Sequence, residues 1–86
     1  MSEVTVYERP GCHLCEDAVA VLERVRTHRP FRLRRVDITT DDALHRRYLE
    51  RIPVIALDGE ELYDHFVDEA DLAARLAASP PSHSLE

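Results

Sequence analysis

Val4-Thr5-Val6-Tyr7 alternates side-chain character along a run of β-branched and aromatic residues, the pattern of a short strand. Arg9-Pro10-Gly11 breaks it with two strong turn formers. From Cys12 to about Thr27 the period changes. Leu14, Ala18, Val21, Leu22 and Val25 recur at helical spacing, with acids early and arginines late, as the helix dipole favours. Pro30 closes that helix. Phe31 to Ile38 then alternates again, except for one extra Arg, a slip that predicts an edge strand or a bulge. Thr40 or Asp41 can cap a second helix over roughly Asp42 to Glu50. Val54-Ile55-Ala56-Leu57 is continuously apolar and reads as a buried central strand. Asp58-Gly59 is a hairpin turn signal, which makes Glu60-Glu61-Leu62-Tyr63 the returning strand. Asp68 can cap a last helix whose apolar positions are Ala70, Leu72, Ala73 and Leu76.

The element order is therefore β-α-β-α-β-β-α. A β-α-β start demands a parallel pair with a right-handed crossover, and the hairpin supplies an antiparallel pair. The expected fold is an α/β domain over residues 1–78, a four-stranded mixed sheet flanked by three helices. Residues 79–86 are polar and Pro-rich and read as a disordered tail, with Leu85-Glu86 a candidate expression-vector remnant.

Composition narrows the function classes. At 86 residues the chain holds one domain, which buries only about 60% of the surface its unfolded form exposes. The 44% apolar content is ordinary for a folded chain, and its charges are interleaved in sign. All 11 basic residues are Arg, which reads as genomic base bias. A net charge of −6 argues against nucleic acid or an anionic membrane as partner. No charged-then-apolar leader and no long apolar run is present, so the expected location is the cytoplasm and a structural disulfide is not expected there.

That context gives meaning to the two cysteines, Cys12-His13-Leu14-Cys15. After a strand and at the start of a helix, C-x-x-C is the setting of redox chemistry. A Cys12 sulfur at the helix start meets free N–H groups and the positive dipole end, both of which favour negative charge. Arg9 adds a positive field, while Glu16 and Asp17 oppose it. Cys15 falls one turn on, on the same face and deeper, within reach of a mixed disulfide formed at Cys12. A charged His13 between them would favour a sulfur anion and a more oxidising pair. His28, His45, His65 and His83 are assigned no role. Arg46, Arg47 and Arg51 read as a solvated helix face.

Arg9-Pro10-Gly11 before C-x-x-C resembles the active-site loop of glutaredoxins and other thioredoxin-fold proteins, and Ile52-Pro53-Val54 is similar to their cis-proline segment. The run Arg-Pro-Gly-Cys-His-Leu-Cys, then Ile-Pro-Val, then Asp-Gly-Glu, ending in Val67-Asp68-Glu69-Ala70, resembles small glutaredoxin-like proteins over about residues 3–78. The resemblance implies a thioredoxin-like fold with Cys12 as nucleophile and Cys15 as resolving thiol. It implies a cis Pro53 packed beside Cys12, an Ile52 backbone that pairs with an extended substrate or a glutathione cysteinyl unit, and Arg9 as the basic residue toward glutathione. One feature departs from the family. Typical glutaredoxins carry Gly-Gly and then acidic residues before the last helix, where the glutathione carboxylate binds. Tyr63-Asp64-His65-Phe66 stands there instead, so glutathione is a doubtful ligand and no tightly bound cofactor is expected.

The expected activity is thiol–disulfide exchange with catalytic Cys12 and Cys15 and with Arg9, His13, Ile52 and Pro53 as substrate contacts. The expected substrates are protein disulfides or glutathionylated thiols, an outside thiol reductant resets the pair, and the chain acts as a monomer. Two other readings stay open. A metal or iron–sulfur module could use the two sulfurs as half a ligand set, although no second C-x-x-C exists. A thioredoxin-fold adaptor could hold partners without turnover.

Overall fold

The computed structural model describes residues 2–78, and the expected tail at 79–86 lies outside the described residues. Strand β1 is Glu3–Glu8 and leads into helix α1, His13–Arg26. Strand β2, Arg32–Asp37, follows, then a 3₁₀ turn at Ile38–Thr40 and helix α2, Asp42–Tyr48. Strands β3, Val54–Leu57, and β4, Glu60–Asp64, form the hairpin, and helix α3, Glu69–Ala78, ends the described chain. The sheet order is β2-β1-β3-β4, with β1 parallel to β2 and antiparallel to β3, and β3 antiparallel to β4. This is the mixed sheet that the order of elements predicts and the thioredoxin-like fold that the resemblance implies.

Pleat parity divides the core between the two faces of the sheet. Val4 and Val6 lie opposite Leu57 and Ile55, and this face packs on Ala18, Leu22 and Val25 of α1 and Leu72 of α3. Thr5 and Tyr7 lie opposite Ala56 and Val54 and face the other way. There Tyr48 of α2 stacks on Tyr7 with ring centroids 4.4 Å apart. The second face, with Ile38, Tyr48, Ile52 and Val54, forms a smaller apolar cluster that also contains Cys15. Helices α1 and α3 are further tied by the two-bond Arg24–Glu69 pair at 2.9 and 3.0 Å.

The irregular alternation after Pro30 marks an edge strand, as one branch of the expectation had it, but not a bulge. The β1–β2 register is unbroken, and the exposed Arg32, Arg34 and Arg35 discourage a further strand from pairing there. The register shift lies in the hairpin instead. Ile55 pairs with Tyr63 and Ala56 with Glu61, so Leu62 is the extra residue. Phe31 precedes the strand and is buried in the core. Ile38 leaves it for the 3₁₀ turn, because the Asp37 carboxylate accepts from the Thr39 N–H at 2.9 Å. Ala70 is exposed rather than apolar-facing, and Leu72 is the buried anchor of α3.

Two left-handed residues shape the hairpin turn, Asp58 at φ 50° and Gly59 at φ 90°, the pairing that a two-residue turn between twisted strands needs. A third lies in the segment that stands where typical glutaredoxins carry Gly-Gly. His65 adopts φ 70° without being glycine. Its N–H donates to the carbonyls of Pro53 (2.8 Å) and Arg51 (3.2 Å), and its Nε2 lies 3.0 Å from the Glu50 carbonyl. Three contacts to residues 50–53 hold a backbone conformation that costs a non-glycine residue about 1–2 kcal/mol. His65→Ala keeps that cost and loses the side-chain bond, whereas His65→Gly loses the bond but also the cost. Urea unfolding is expected to rank His65→Gly about 1 kcal/mol more stable than His65→Ala. The reverse order would mean that the imidazole bond, and not the backbone, governs this corner.

Candidate active site

The loop after β1 turns on Gly11, at φ 78°. A Cβ there would meet no atom within 4 Å, so the requirement is conformational, not steric crowding. The turn delivers Cys12 in an extended conformation (φ −91°, ψ 110°) as the N-cap of α1, where its Sγ accepts from the Cys15 N–H at 3.2 Å. The other helical starts in the described residues are capped by carboxylates: Asp37 for the 3₁₀ turn, Asp41 for α2 (2.8 and 3.2 Å) and Asp68 for α3 (3.0 Å). Only α1 uses sulfur, a weaker acceptor.

Both cysteines are free thiols, Cys12 half-buried and Cys15 only 1% exposed. Burial, reinforced by the hydrogen bond with Cys12, pushes the Cys15 thiol up to about 12, with the Arg9 backbone amide opposing. Cys15 therefore keeps its proton near neutral pH. The two sulfurs differ in access by design of the helix: the cap position faces outward and the position three residues on turns into the cluster of Ile38, Tyr48, Ile52 and Val54.

The Ile52–Pro53 peptide is cis, as the resemblance implies, and Pro53 is fully buried. Ile52 belongs to the same cluster as Cys15, with Cys12 packed against it, so the structure brings these three together. A polar frame fixes the segment from below. The Tyr48 hydroxyl donates to Glu61 at 2.8 Å, and Arg51 donates to Glu61 at 2.7 Å and to Asp64 at 3.4 Å. The Arg51 guanidinium and the Tyr48 hydroxyl hold the Glu61 carboxyl below its ordinary value. Arg47 and Arg51 also lie over the Tyr48 ring, 5.4 and 5.5 Å from its centroid. Arg46 and Arg47 remain on the solvated face as expected, with Arg47 reaching Glu61 at 3.6 Å, while Arg51 is drawn into the frame.

Arg9 and His13 are not drawn into that cluster. Arg9 is exposed and lines an open concavity of about 280 Å³ with Gly11, Glu16, Asp37 and the Glu8–Arg35 pair. Glu8 is 9% exposed and accepts two bonds from Arg35, at 2.6 and 3.0 Å. His13 is exposed on the first turn of α1 and makes no hydrogen bond or ion pair among the described residues. Among those residues no group of three or more His, Cys, Asp or Glu is placed to hold a metal ion. No helix there is long and apolar enough to cross a membrane.

Sequence reasoning missed the Tyr7–Tyr48–Glu61–Arg51 frame, the Glu8–Arg35 pair and the anchoring by His65. The first had a legible signal. Tyr7 has the pleat parity opposite Val4 and Val6, and Tyr48 follows Leu44 by one helical turn, so both had to seek the second face. The others depend on long-range placement that local pattern does not carry.

The family model for the glutaredoxin-like domain (DUF836) matches residues 3–77. The chain is similar to protein Ne2328 from Nitrosomonas europaea, with 33% identity, 85% of this chain and 88% of that one covered, and a TM-score of 0.75. It is also similar to protein XcR50 from X. campestris, with 38% identity, coverage of 90% and 99%, and a TM-score of 0.72. Thioredoxin-2, a component of the malaria parasite protein secretion machinery, shares the fold at 21% identity and a TM-score of 0.69, covering 92% of this chain and 84% of its own. No curated protein matches the chain in sequence. These relationships support a redox-related role. With the match spanning nearly every described residue, the chain belongs to the glutaredoxin-like DUF836 family of thioredoxin-fold proteins.

Proposed function

We propose that this protein is a thiol–disulfide oxidoreductase that reduces protein disulfides or mixed disulfides with Cys12 and Cys15. The observation that carries the reading is the cap itself: a half-exposed Cys12 sulfur at the start of α1, 3.2 Å from the N–H of a Cys15 that is buried and protonated. The Cys12 thiolate attacks one sulfur of the target disulfide. The target S–S bond breaks, one target thiolate leaves and takes a proton, and a Cys12–target disulfide forms. Cys15 then gives up its proton and attacks the Cys12 sulfur. The second target thiolate leaves, and the enzyme holds a Cys12–Cys15 disulfide. An outside dithiol returns two electrons and two protons.

The helix start stabilises negative charge on Cys12, both as attacking group and as leaving group in the second step. A protonated Cys15 does not compete for the substrate, so attack begins at Cys12. Ile52 contributes through its backbone, whose N–H and C=O join no hydrogen bond among the described residues and stand just before the start of β3, free to pair with an extended substrate. Arg9 acts as an exposed positive neighbour of the loop, and His13 stands exposed beside it. The working location is the cytoplasm and the working form a monomer.

Cys12→Ser is expected to abolish insulin disulfide reduction, while Cys15→Ser accumulates a Cys12–substrate disulfide visible by intact mass. Unchanged turnover in Cys12→Ser would end this reading. In the reduced native protein at pH 7–8, iodoacetamide is expected to label Cys12 at least about 100-fold faster than Cys15, because only thiolates at accessible positions react. Comparable labelling of both would place Cys15 outside the resolving role.

The buried thiol also fixes the sign of a stability profile. Cys15 binds its proton more tightly folded (about 12) than at its ordinary value of 9.0. Its contribution is complete below pH 9 and is lost as pH rises toward 12. Tyr48 and Tyr63, raised by burial and by their carboxylate partners, act in the same direction. The expected result is that reduced Cys15→Ala loses less stability than the native chain between pH 9 and 11 in urea titrations. Parallel profiles would remove the thiol from the account.

A further inference from the structure

The dithiol loop is flanked by two unlike surfaces. On one side is the charged concavity of Glu8, Arg9, Glu16 and Arg35. On the other, a concavity of about 160 Å³ runs between α1 and the β4–α3 connection, lined by Leu14, Ala18, Val21, Phe66 and Val67. Leu14 and Phe66 are 52% and 64% exposed, two of the three large apolar side chains left in water among the described residues. Asp17 stands on the rim, exposed, in no ion pair among the described residues. Leu14, Asp17, Ala18 and Val21 follow i, i+3, i+4, i+7 spacing, so one stripe of α1 forms the wall.

We infer that this groove is a substrate subsite that seats a large apolar side chain, with a basic residue beside it, next to the reacting cysteine of a protein disulfide. The inference rests on the oxidoreductase reading and names its substrate class. Three observations select the occupant. Leu14 lies between Cys12 and Cys15, so a chain whose sulfur reaches Cys12 can lay a neighbouring residue on Leu14. The volume is close to the roughly 150 Å³ that accommodates a benzene ring. The unpaired Asp17 carboxylate complements a cation and repels an anion such as glutathione. The far wall is also preorganised. His65, bonded to the carbonyls of Arg51 and Pro53, immediately precedes Phe66 and fixes where that ring stands relative to the Ile52–Pro53 segment.

The test uses three short peptides, each joined through its cysteine to the same small thiol. One carries Phe and Arg beside the cysteine, one Ser and Arg, one Phe and Glu. Single-turnover reduction by the native dithiol protein is expected to be about tenfold faster for Phe/Arg than for Ser/Arg, and about threefold faster than for Phe/Glu. Phe66→Ser, and independently Leu14→Ser, collapse the first ratio, Phe66→Leu restores most of it, and Asp17→Asn collapses the second. Equal rates for the three peptides, or ratios that persist in the variants, overturn the subsite. If no peptide is reduced, the oxidoreductase reading has failed, and the groove is decided separately by NMR. The Phe/Arg peptide with Ser in place of Cys then shifts the amides of Leu14, Val21 and Phe66 in the native chain if the subsite is real. Absence of those shifts overturns it.

Discussion

The site depends on what satisfies the free N–H groups at the start of α1. Every helix leaves such groups, and a carboxylate or hydroxyl is the usual partner. This chain uses aspartates for that purpose at Asp37, Asp41 and Asp68, and a cysteine at position 12. A sulfur cap is the weaker choice for helix stability, and the remaining packing of α1 against Val4, Val6 and Leu72 makes it tolerable. The exchange sets the thiol at a helix start, where its sulfur faces backbone N–H groups. It also fixes the register of everything after it, since the third residue from the cap must turn inward, and that residue is Cys15.

Burial then separates the two thiols chemically. Cys15 shares a cluster with Ile38, Tyr48, Ile52 and Val54, and desolvation is the largest cause of its raised value. The second face of the sheet is covered by a short helix, α2 of 7 residues, together with Ile38 of the 3₁₀ turn. The Tyr7–Tyr48 stack and the Glu61–Arg51 frame compensate by locking that short helix to the hairpin. The apolar surroundings of Cys15 therefore rest on polar bonds formed more than ten residues away in sequence. Loss of the Tyr48 hydroxyl bond would loosen the covering of the cysteine before it unfolded the sheet.

The fold was legible because each element carries its own period and its own punctuation. Cys12 as cap, the Asp58-Gly59 turn, the central Val54–Leu57 strand and the edge position of Arg32–Asp37 all follow from local pattern. The cis Ile52–Pro53 peptide came from family likeness, not from the pattern, which would favour trans. Reasoning failed where distant residues decide. The lack of glycine at Tyr63–Phe66 argued against a left-handed backbone there, yet His65 adopts one because three carbonyls from residues 50–53 wait for its N–H and ring. His is among the residues that enter this region more readily than most, a signal that was available and weak. Arg51 read as solvated for the same reason: its partner Glu61 lies across the hairpin.

The replacement at residues 63–66 changes what the corner can offer. A glycine pair presents bare backbone N–H groups to an approaching carboxylate. His65 instead spends its N–H on the carbonyls of Pro53 and Arg51, leaving that donor unavailable. Phe66 then presents a ring where backbone would stand, and the exposed Asp17 brings negative charge to the same groove. A small anionic tripeptide loses its donor, meets a carboxylate and gains an apolar wall it has no group to fill. A protein segment with an apolar and a basic side chain loses none of its own backbone pairing at Ile52 and can use both the wall and the charge. The same sulfur chemistry proposed for Cys12 and Cys15 is thereby biased from a small thiol toward a polypeptide, by two residues that never touch the reacting atoms.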